Sequence, residues 1–375
     1  MNFIRFVKTP RLDVRSKSKP NAKAATKIAN GNQLSMILNI TTDFSLFASS
    51  IELRCQFISS NDTVLQEKQV PWMEYDREVR VEFSVPPTVK EGRVVIKPVK
   101  SPNSNSDSNF LSTFLGGETA HIVSVETSLF SLAAFSRNDT VYRTFYLPSG
   151  PLRIAEQSGE TIIRHVWDAG IILSAALICN PPSALPRPLQ PFITAVMPRS
   201  GKLKVLEVGC GVGILGVSIA AAFPQSQVVM TDLSDAQSLV EENIHLNSAK
   251  FPHLKQNAAF RALDWEMEIY PEWTVTDRYD LIVMADVTYN TATFIPLVKT
   301  LQHLLRNGSR GSKVICCGKR RHDEEEGFWR LVAESGFMID SRIIFGMDLE
   351  GNFRHCISEE KEYGEQLIDF VCMHI

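Results

Sequence analysis

Leu203-Lys-Val-Leu-Glu-Val-Gly209-Cys-Gly211-Val-Gly213-Ile-Leu-Gly216-Val217 is the stretch that decides the fold. A short apolar run with strand character leads straight into glycines, which permit a tight turn and close backbone approach. A helix then opens with its first N–H groups free. The spacing is G-x-G-x-G with Gly216 three residues further on. It is neither the strict dinucleotide fingerprint nor the phosphate loop, since no Lys-Ser/Thr follows. Asp232 ends the next apolar run, 23 residues after Gly209. A carboxylate there, at the carboxyl edge of a parallel sheet, can accept both hydroxyls of a ribose. Capping a helix that begins near Ser234-Asp235 is the plainer reading, but it leaves the pairing with the glycines unexplained.

Working outward, apolar strands at 203–208, 227–231, 258–263, 279–285 and 312–318 alternate with helical segments at 213–223, 235–248, 292–306 and 324–335. This is the rhythm of a parallel sheet covered on both faces. Two extended segments, 336–346 and 366–373, end the chain without a long helix between them, so an antiparallel pair is expected to close the sheet. Asp264-Trp265 follows the third strand, where a carboxylate can accept from an exocyclic amine and an indole can stack on a base. Glu207 lies two residues before Gly209 and is expected either to orient a charged part of the ligand or to stabilise the turn. The fourth strand ends in Met284-Ala285-Asp286-Val-Thr-Tyr289. An Asp and a Tyr three apart at that edge line the ligand crevice and suit an amine: the carboxylate holds or helps deprotonate an ammonium, and the ring flanks its stem. Ala285 is counted with the ligand-contacting positions.

These residues carry a resemblance. The chain resembles the class I, S-adenosylmethionine-dependent methyltransferases, and more closely the seven-strand methyltransferase family 16 of protein-lysine methyltransferases. Glu207-Val-Gly-Cys-Gly-Val-Gly213 matches the family's first cofactor motif, Asp232 its ribose acid, Asp264-Trp265 its adenine-side motif and Asp286-Val-Thr-Tyr289 its substrate motif. Val166-Trp167-Asp168-Ala169-Gly170 resembles the helix that closes over the cofactor, with Trp167 at the methionine end. The resemblance covers about 160–375 and implies a Rossmann-like α/β sheet of strand order 3-2-1-4-5-7-6. It also implies S-adenosylmethionine as cofactor, and a lysine of a protein substrate as acceptor, with translation elongation factors among the candidates. In that scheme Asp286 and Tyr289 bind or orient the substrate, while Trp167, Glu207, Gly209, Gly211, Gly213, Asp232, Asp264, Trp265 and Ala285 contact the cofactor. An enzyme of the same fold acting on a small molecule or another side chain, or a non-catalytic module that keeps the fold, remains the alternative.

From about 31 to 150 the pattern has period two. Glu78 to Val85 alternates polar and apolar residues and predicts a strand burying Val79, Val81, Phe83 and Val85. Further strands are expected at 49–58, 93–99 and 120–127, with a polar loop at 101–109. Domains are therefore expected at 1–30 (a basic tail), 31–150 (a β-rich accessory domain) and 151–375 (the methyltransferase domain), the last boundary falling at Pro148-Ser-Gly-Pro151.

With 39 Lys and Arg against 42 Asp and Glu, the 375-residue chain has a net charge of −3, which argues against a globally basic nucleic-acid binder. The near balance hides a contrast, because residues 1–30 hold eight basic side chains and only Asp13 as an acid. Seven cysteines without a C-x-x-C pair indicate buried thiols in a reducing compartment. No metal-ligating cluster is visible, and the longest apolar run, 166–179, is too short to span a membrane and contains Asp168. The head lacks the apolar core of a secretory signal. A monomer located in the cytoplasm, with the nucleus as an alternative, is the expectation. The strip Lys319-Arg320-Arg321-His322 reads either as a contact for an acidic surface or as a solvated loop.

Overall fold

The computed structural model describes residues 2–13, 32–41, 50–73, 76–86, 88–99, 111, 114–115, 122–132, 140–157, 162–197, 202–347, 353–356 and 366–375. The polar loop 101–109 and residues 14–30 of the basic head lie outside these. The chain divides into two compact units. One comprises Met1–Ser104, His121–Arg143 and Gln157–Gly159; the other comprises Asn105–Ala120, Thr144–Glu156 and Glu160–Ile375.

The first unit is built from strands. Strands β1 (Asn2–Asp13), β2 (Asn32–Thr41), β5 (Val79–Val85) and β7 (Ile122–Val123) form a sheet of order β5-β2-β1-β7. In a second sheet, β3 (Ile51–Ser59) lies between β4 (Val64–Trp72) and β6 (Glu91–Pro98), and β6 also pairs with β8 (Val125–Thr127) and β9 (Phe130–Ser131). Ile4, Leu34, Leu38, Val81 and Phe83 of the first sheet share one apolar core with Leu53, Phe57, Val94 and Ile96 of the second. Val81, Phe83 and Val85 are buried as the alternation predicts, while Val79, at the start of the strand, is only half-buried. The basic tail expected over 1–30 is corrected for its first residues: Asn2–Asp13 is a strand antiparallel to β2, because Phe3 and Ile4 are fully buried and hold the segment in the sheet.

The expected boundary at 148–151 also needs correction. Pro148 and Ser149 form the turn between β10 (Thr140–Leu147) and β11 (Gly150–Gln157), which are neighbours in a sheet. Thr144–Glu156, most of this hairpin, belongs to the second unit.

The second unit carries strands β12 (Lys204–Val208), β13 (Gln227–Asp232), β14 (Ala258–Ala262), β15 (Leu281–Ala285), β16 (Lys313–Lys319), β17 (Met338–Met347), β18 (Phe353–Cys356) and β19 (Gln366–His374). Their order is β14-β13-β12-β15-β16-β19-β17-β18. Counted from β12 this is 3-2-1-4-5-7-6, the methyltransferase order, with β18 added outside β17. Pairings from β14 to β16 are parallel, and β19 runs antiparallel to both β16 and β17. The helices are α1 (Asp168–Ile178), α2 (Leu189–Val196), α3 (Ile214–Ala222), α4 (Gln237–Asn247), α5 (Leu254–Asn257), α6 (Trp273–Thr276), α7 (Phe294–Arg306) and α8 (Glu326–Glu334). Helix α1 is buried along its whole length, which accounts for its largely apolar sequence beyond Asp168. Helix α7 instead turns Leu297, Val298, Leu301, Leu304 and Leu305 to the sheet at helical spacing. Among the described residues no helix is long and apolar enough to cross a membrane. Strand order reverses between β12 and β15, the place where open α/β sheets hold their ligand crevice, and Gly209, Asp232, Asp264 and Asp286 stand at or just past the carboxyl ends of β12–β15.

Candidate functional site

The glycine turn leaves β12 with Gly209, Gly211 and Gly213 at φ of 71°, 53° and 80°, values that favour glycine. Close packing adds a second reason at Gly209: a Cβ there would meet Val287 and Trp265. The segment after β15 and the segment after β14 therefore both pack on the turn. The Gly213 N–H donates to the Cys210 carbonyl at 2.8 Å, and α3 starts at the next residue.

Two carboxylates hold the turn from beneath and beside. Glu207 is buried and its Oε2 accepts the Gly216 N–H at 2.8 Å, so it ties the end of β12 to the first turn of α3. Burial pushes the Glu207 carboxyl up to about 8, with the negative charge of Asp232 adding to the effect and the Gly216 bond opposing it. Asp232 Oδ2 accepts the Gly211 N–H and its Oδ1 the Leu233 N–H, both at 2.8 Å. Its carboxyl is also raised by burial, against the pull of those two bonds. Each Asp232 oxygen keeps a second lone pair for a ligand hydroxyl. The carboxylate braces the glycine turn and does not cap the helix that follows, whose short opening turn at Ser234–Ala236 has Leu233 at its N-cap.

Trp265 lies against Gly209, with its indole Nε1 buried and lacking an acceptor. Asp264 is exposed and accepts the Glu266 N–H at 2.9 Å. Both stand at the crevice end of β14, as the sequence predicts.

Asp286, immediately after β15, has φ of 54° and is buried. Its Oδ2 accepts the Ala169 N–H at 2.8 Å, and its Oδ1 accepts the Lys319 N–H at 3.1 Å and the Arg321 Nη1 at 2.8 Å. One carboxylate thus ties together the start of α1, the end of β16 and the loop beyond it. Tyr289 is half exposed, and its phenol is raised by burial and by the charge of Asp232, with Arg321 opposing. Ala285 sits just before the turn at the end of β15, half-buried. Trp167, extended and half-buried, precedes α1, and the Arg321 guanidinium carbon lies 5.7 Å from its ring centroid.

Sequence reasoning missed several members of this arrangement. The strip Lys319–Arg321 is neither a solvated loop nor an outward docking strip, because its three cations are buried against carboxylates from distant parts of the chain. Lys319 Nζ is 2.8 Å from Asp168 Oδ2, Arg320 pairs with Asp369 through both oxygens, and Arg321 pairs with Asp286. Burial alone would raise Asp168, yet the positive charge around it, Lys319 included, holds its carboxyl well below the usual range. The signal available was position: the strip directly follows a strand at the crevice edge. Asn243 of α4 was also missed. Its Oδ1 accepts the Ala155 N–H at 2.7 Å, and its Nδ2 donates to the carbonyls of Ala155 at 3.1 Å and Val212 at 2.9 Å. Asn247, one turn on, repeats the pattern with the N–H and carbonyl of Arg153. Glu156 then accepts the Val166 N–H at 2.9 Å, next to Trp167.

Comparison with known proteins points to a family. A UPF0665 family protein of Schizosaccharomyces pombe is 32% identical over 181 residues, 48% of this chain and 50% of that protein. The mouse protein N-lysine methyltransferase METTL21A is 30% identical over 167 residues, covering 44% of this chain and 65% of that one. The mouse EEF1A lysine methyltransferase 3 is 32% identical over 139 residues, 36% of this chain and 54% of that one. The matched part of the chain spans about half to two thirds of these relatives' length. A family profile described as lysine methyltransferase matches residues 147–335, half of the sequence. The chain belongs to the lysine methyltransferase family.

Proposed function

We propose that the protein is an S-adenosylmethionine-dependent protein-lysine N-methyltransferase, with its cofactor over the glycine turn and its acceptor amine at the Asp286–Tyr289 segment. The observation that carries this reading is that Val287, inside that segment, packs directly against Gly209. The two motifs are therefore in contact. The residues present fit the cofactor: three left-handed glycines leave room for close approach, Asp232 keeps acceptor capacity, and the buried Trp265 Nε1 is a donor with no partner. Gly209, Gly211, Gly213 and Asp232 would hold the nucleoside, Asp264 and Trp265 its base, and Glu207, Ala285 and Trp167 the amino-acid end.

When bound, S-adenosylmethionine supplies an electron-poor methyl group on sulfur. The acceptor nitrogen needs a free lone pair, so the chain's task is to exclude water and align a neutral amine. Tyr289, half exposed and with its phenol kept protonated, would flank the lysine stem. Asp286 already accepts three hydrogen bonds from the chain, so its part is to shape the pocket by fixing α1 and the loop after β16.

A protein lysine is favoured over a small molecule because the mouse relatives are a protein N-lysine methyltransferase and an EEF1A lysine methyltransferase. A translation elongation factor is the first substrate to test, which would place the reaction in the cytoplasm. Incubation of the purified full chain with labelled S-adenosylmethionine and cell extract, followed by mass spectrometry of the labelled band, is expected to find methyl groups on a lysine. Label appearing only in small molecules, or no S-adenosylhomocysteine binding by calorimetry, would defeat the proposal.

A further inference from the structure

Asp286, Trp167 and Arg321 together have the composition of a cation seat. A buried carboxylate faces a guanidinium at 2.8 Å, and the same guanidinium lies 5.7 Å from the centroid of an indole ring. Carboxylate plus aromatic face is the chemistry that binds an alkylammonium. Here the seat is already filled from within the chain. Arg321 is buried, and its Nη1 also donates to the Lys319 carbonyl at 3.0 Å, so it is fixed on both sides.

We propose that Arg321 acts as a built-in occupant of this seat, neutralising Asp286 so that the acceptor lysine is taken as a neutral amine instead of an ammonium. The inference rests on the proposed placement of the amine beside Tyr289. An unpaired Asp286 carboxylate there would stabilise the protonated amine and remove the lone pair that attacks the methyl carbon. A guanidinium stays charged throughout the physiological range, so its neutralising effect does not vary with pH. The other charged groups around it do not reverse this balance. Lys319 and Asp168 form a pair of their own at 2.8 Å, and the Glu325 carboxylate is taken up by the backbone, accepting the Arg321 and His322 N–H groups at 3.2 Å each. Asp232 adds negative charge at Tyr289, which Arg321 offsets. In the transfer the C–S bond of the cofactor breaks as the N–C bond forms, and the surplus proton leaves the product nitrogen for solvent. The proton that made the free lysine an ammonium is lost before the amine enters. Arg321 is thus a positioning residue acting through Asp286.

The test uses the full chain loaded with S-adenosylhomocysteine and titrated with n-butylammonium chloride at neutral pH, comparing wild type, Arg321→Lys, Arg321→Ala and Arg321→Ala with Asp286→Asn. Wild type and Arg321→Lys are expected to bind the probe weakly. Arg321→Ala should bind it about tenfold more tightly, a gain of about 1.4 kcal/mol, and the double variant should lose that gain. In methyl transfer, Arg321→Ala should lower both KM for the acceptor protein and kcat at neutral pH and shift the rise of kcat to higher pH, with Arg321→Lys restoring the wild-type profile. If Arg321→Ala does not fold, as checked by thermal melting, Arg321→Gln, which keeps a donor for Asp286, takes its place with the same expectations. Equal probe binding by wild type and the neutral variant would overturn the proposal. So would a tenfold loss of S-adenosylhomocysteine affinity in the neutral variant, since that would put the guanidinium on the cofactor's carboxylate. If no protein is methylated by the wild type while the neutral variant gains probe binding, the proposed function fails and the cation seat stands.

Discussion

Asn243 holds Ala155 by both backbone groups, accepting its N–H at 2.7 Å and donating to its carbonyl at 3.1 Å, as a neighbouring strand would. The same amide also reaches the Val212 carbonyl in the glycine turn. Asn243→Ala is therefore expected to leave three buried backbone groups without partners and to destabilise the fold by about 2–3 kcal/mol. Asn243→Asp should cost more, because it turns a carboxylate toward two carbonyls. Urea unfolding of the three proteins checks this, and an Asp variant as stable as wild type would contradict it.

Glu207 predicts a pH effect with a definite sign. Its carboxyl titrates near 8 in the folded chain against an ordinary 4.5. Below about pH 4.5 it is protonated whether folded or unfolded. From there to about 8 the unfolded chain releases the proton and the folded chain keeps it, so folded stability falls as pH rises through that window. Glu207→Gln retains an acceptor for Gly216 and removes the titration. The difference in Tm between variant and wild type should shift in the variant's favour from pH 5 to pH 8, and a constant difference would mean that the buried acid is already ionised.

Asp232→Ala removes both the brace on Gly211 and the proposed ribose acceptor. S-adenosylhomocysteine should bind about tenfold or more weakly, the scale of a charge-assisted hydrogen bond. An unchanged calorimetric Kd would rule out the ribose contact.

Tyr289→Ala should reduce transfer by about tenfold or more while cofactor affinity stays near that of wild type. Tyr289→Phe separates the ring from its hydroxyl: retained transfer would assign the work to the aromatic face, and lost transfer to the phenol. Full activity in both variants would remove Tyr289 from the acceptor site.

Gly209→Ala forces a side chain into the left-handed region and into Val287 and Trp265. A loss of about 1–3 kcal/mol is expected, together with weaker cofactor binding, because the methyl group wedges the two motifs apart. Thermal melting and calorimetry on the same preparation would show both effects together.

The glycine turn and its sheet were legible because their signals are local: an apolar run, a glycine cluster and an acid at the end of the next strand. Asp232, Trp265, Asp286 and Tyr289 stand at one edge of the sheet for the same reason, since each lies at or within a few residues of the carboxyl end of a parallel strand. Arg321 and Lys319 were not legible. Three consecutive cations look like surface when read along the chain, and carboxylates from far-separated segments, Asp168, Asp286 and Asp369 among them, make their burial tolerable. Strand β4 was missed for a different reason. Most of its side chains are exposed or half-buried, so hydropathy carries no period, and backbone pairing with β3 alone defines it. Strand β1 lay within a segment whose charge outweighed two buried apolar residues.

The β10–β11 turn at Pro148-Ser149 bears on how the protein can be divided. A proline-rich junction between a β-rich half and an enzyme half invites cutting, but here β11 supplies Arg153 and Ala155 to the two asparagines of α4 and Glu156 to the segment carrying Trp167. A fragment starting after Pro151 would keep every motif of the family and lose the strand that pairs with β11. Its open backbone edge would invite intermolecular pairing. The catalytic half is therefore not a portable cassette at that junction, and insertions, fusions or transplantations of it should carry the whole hairpin from Thr140 onward.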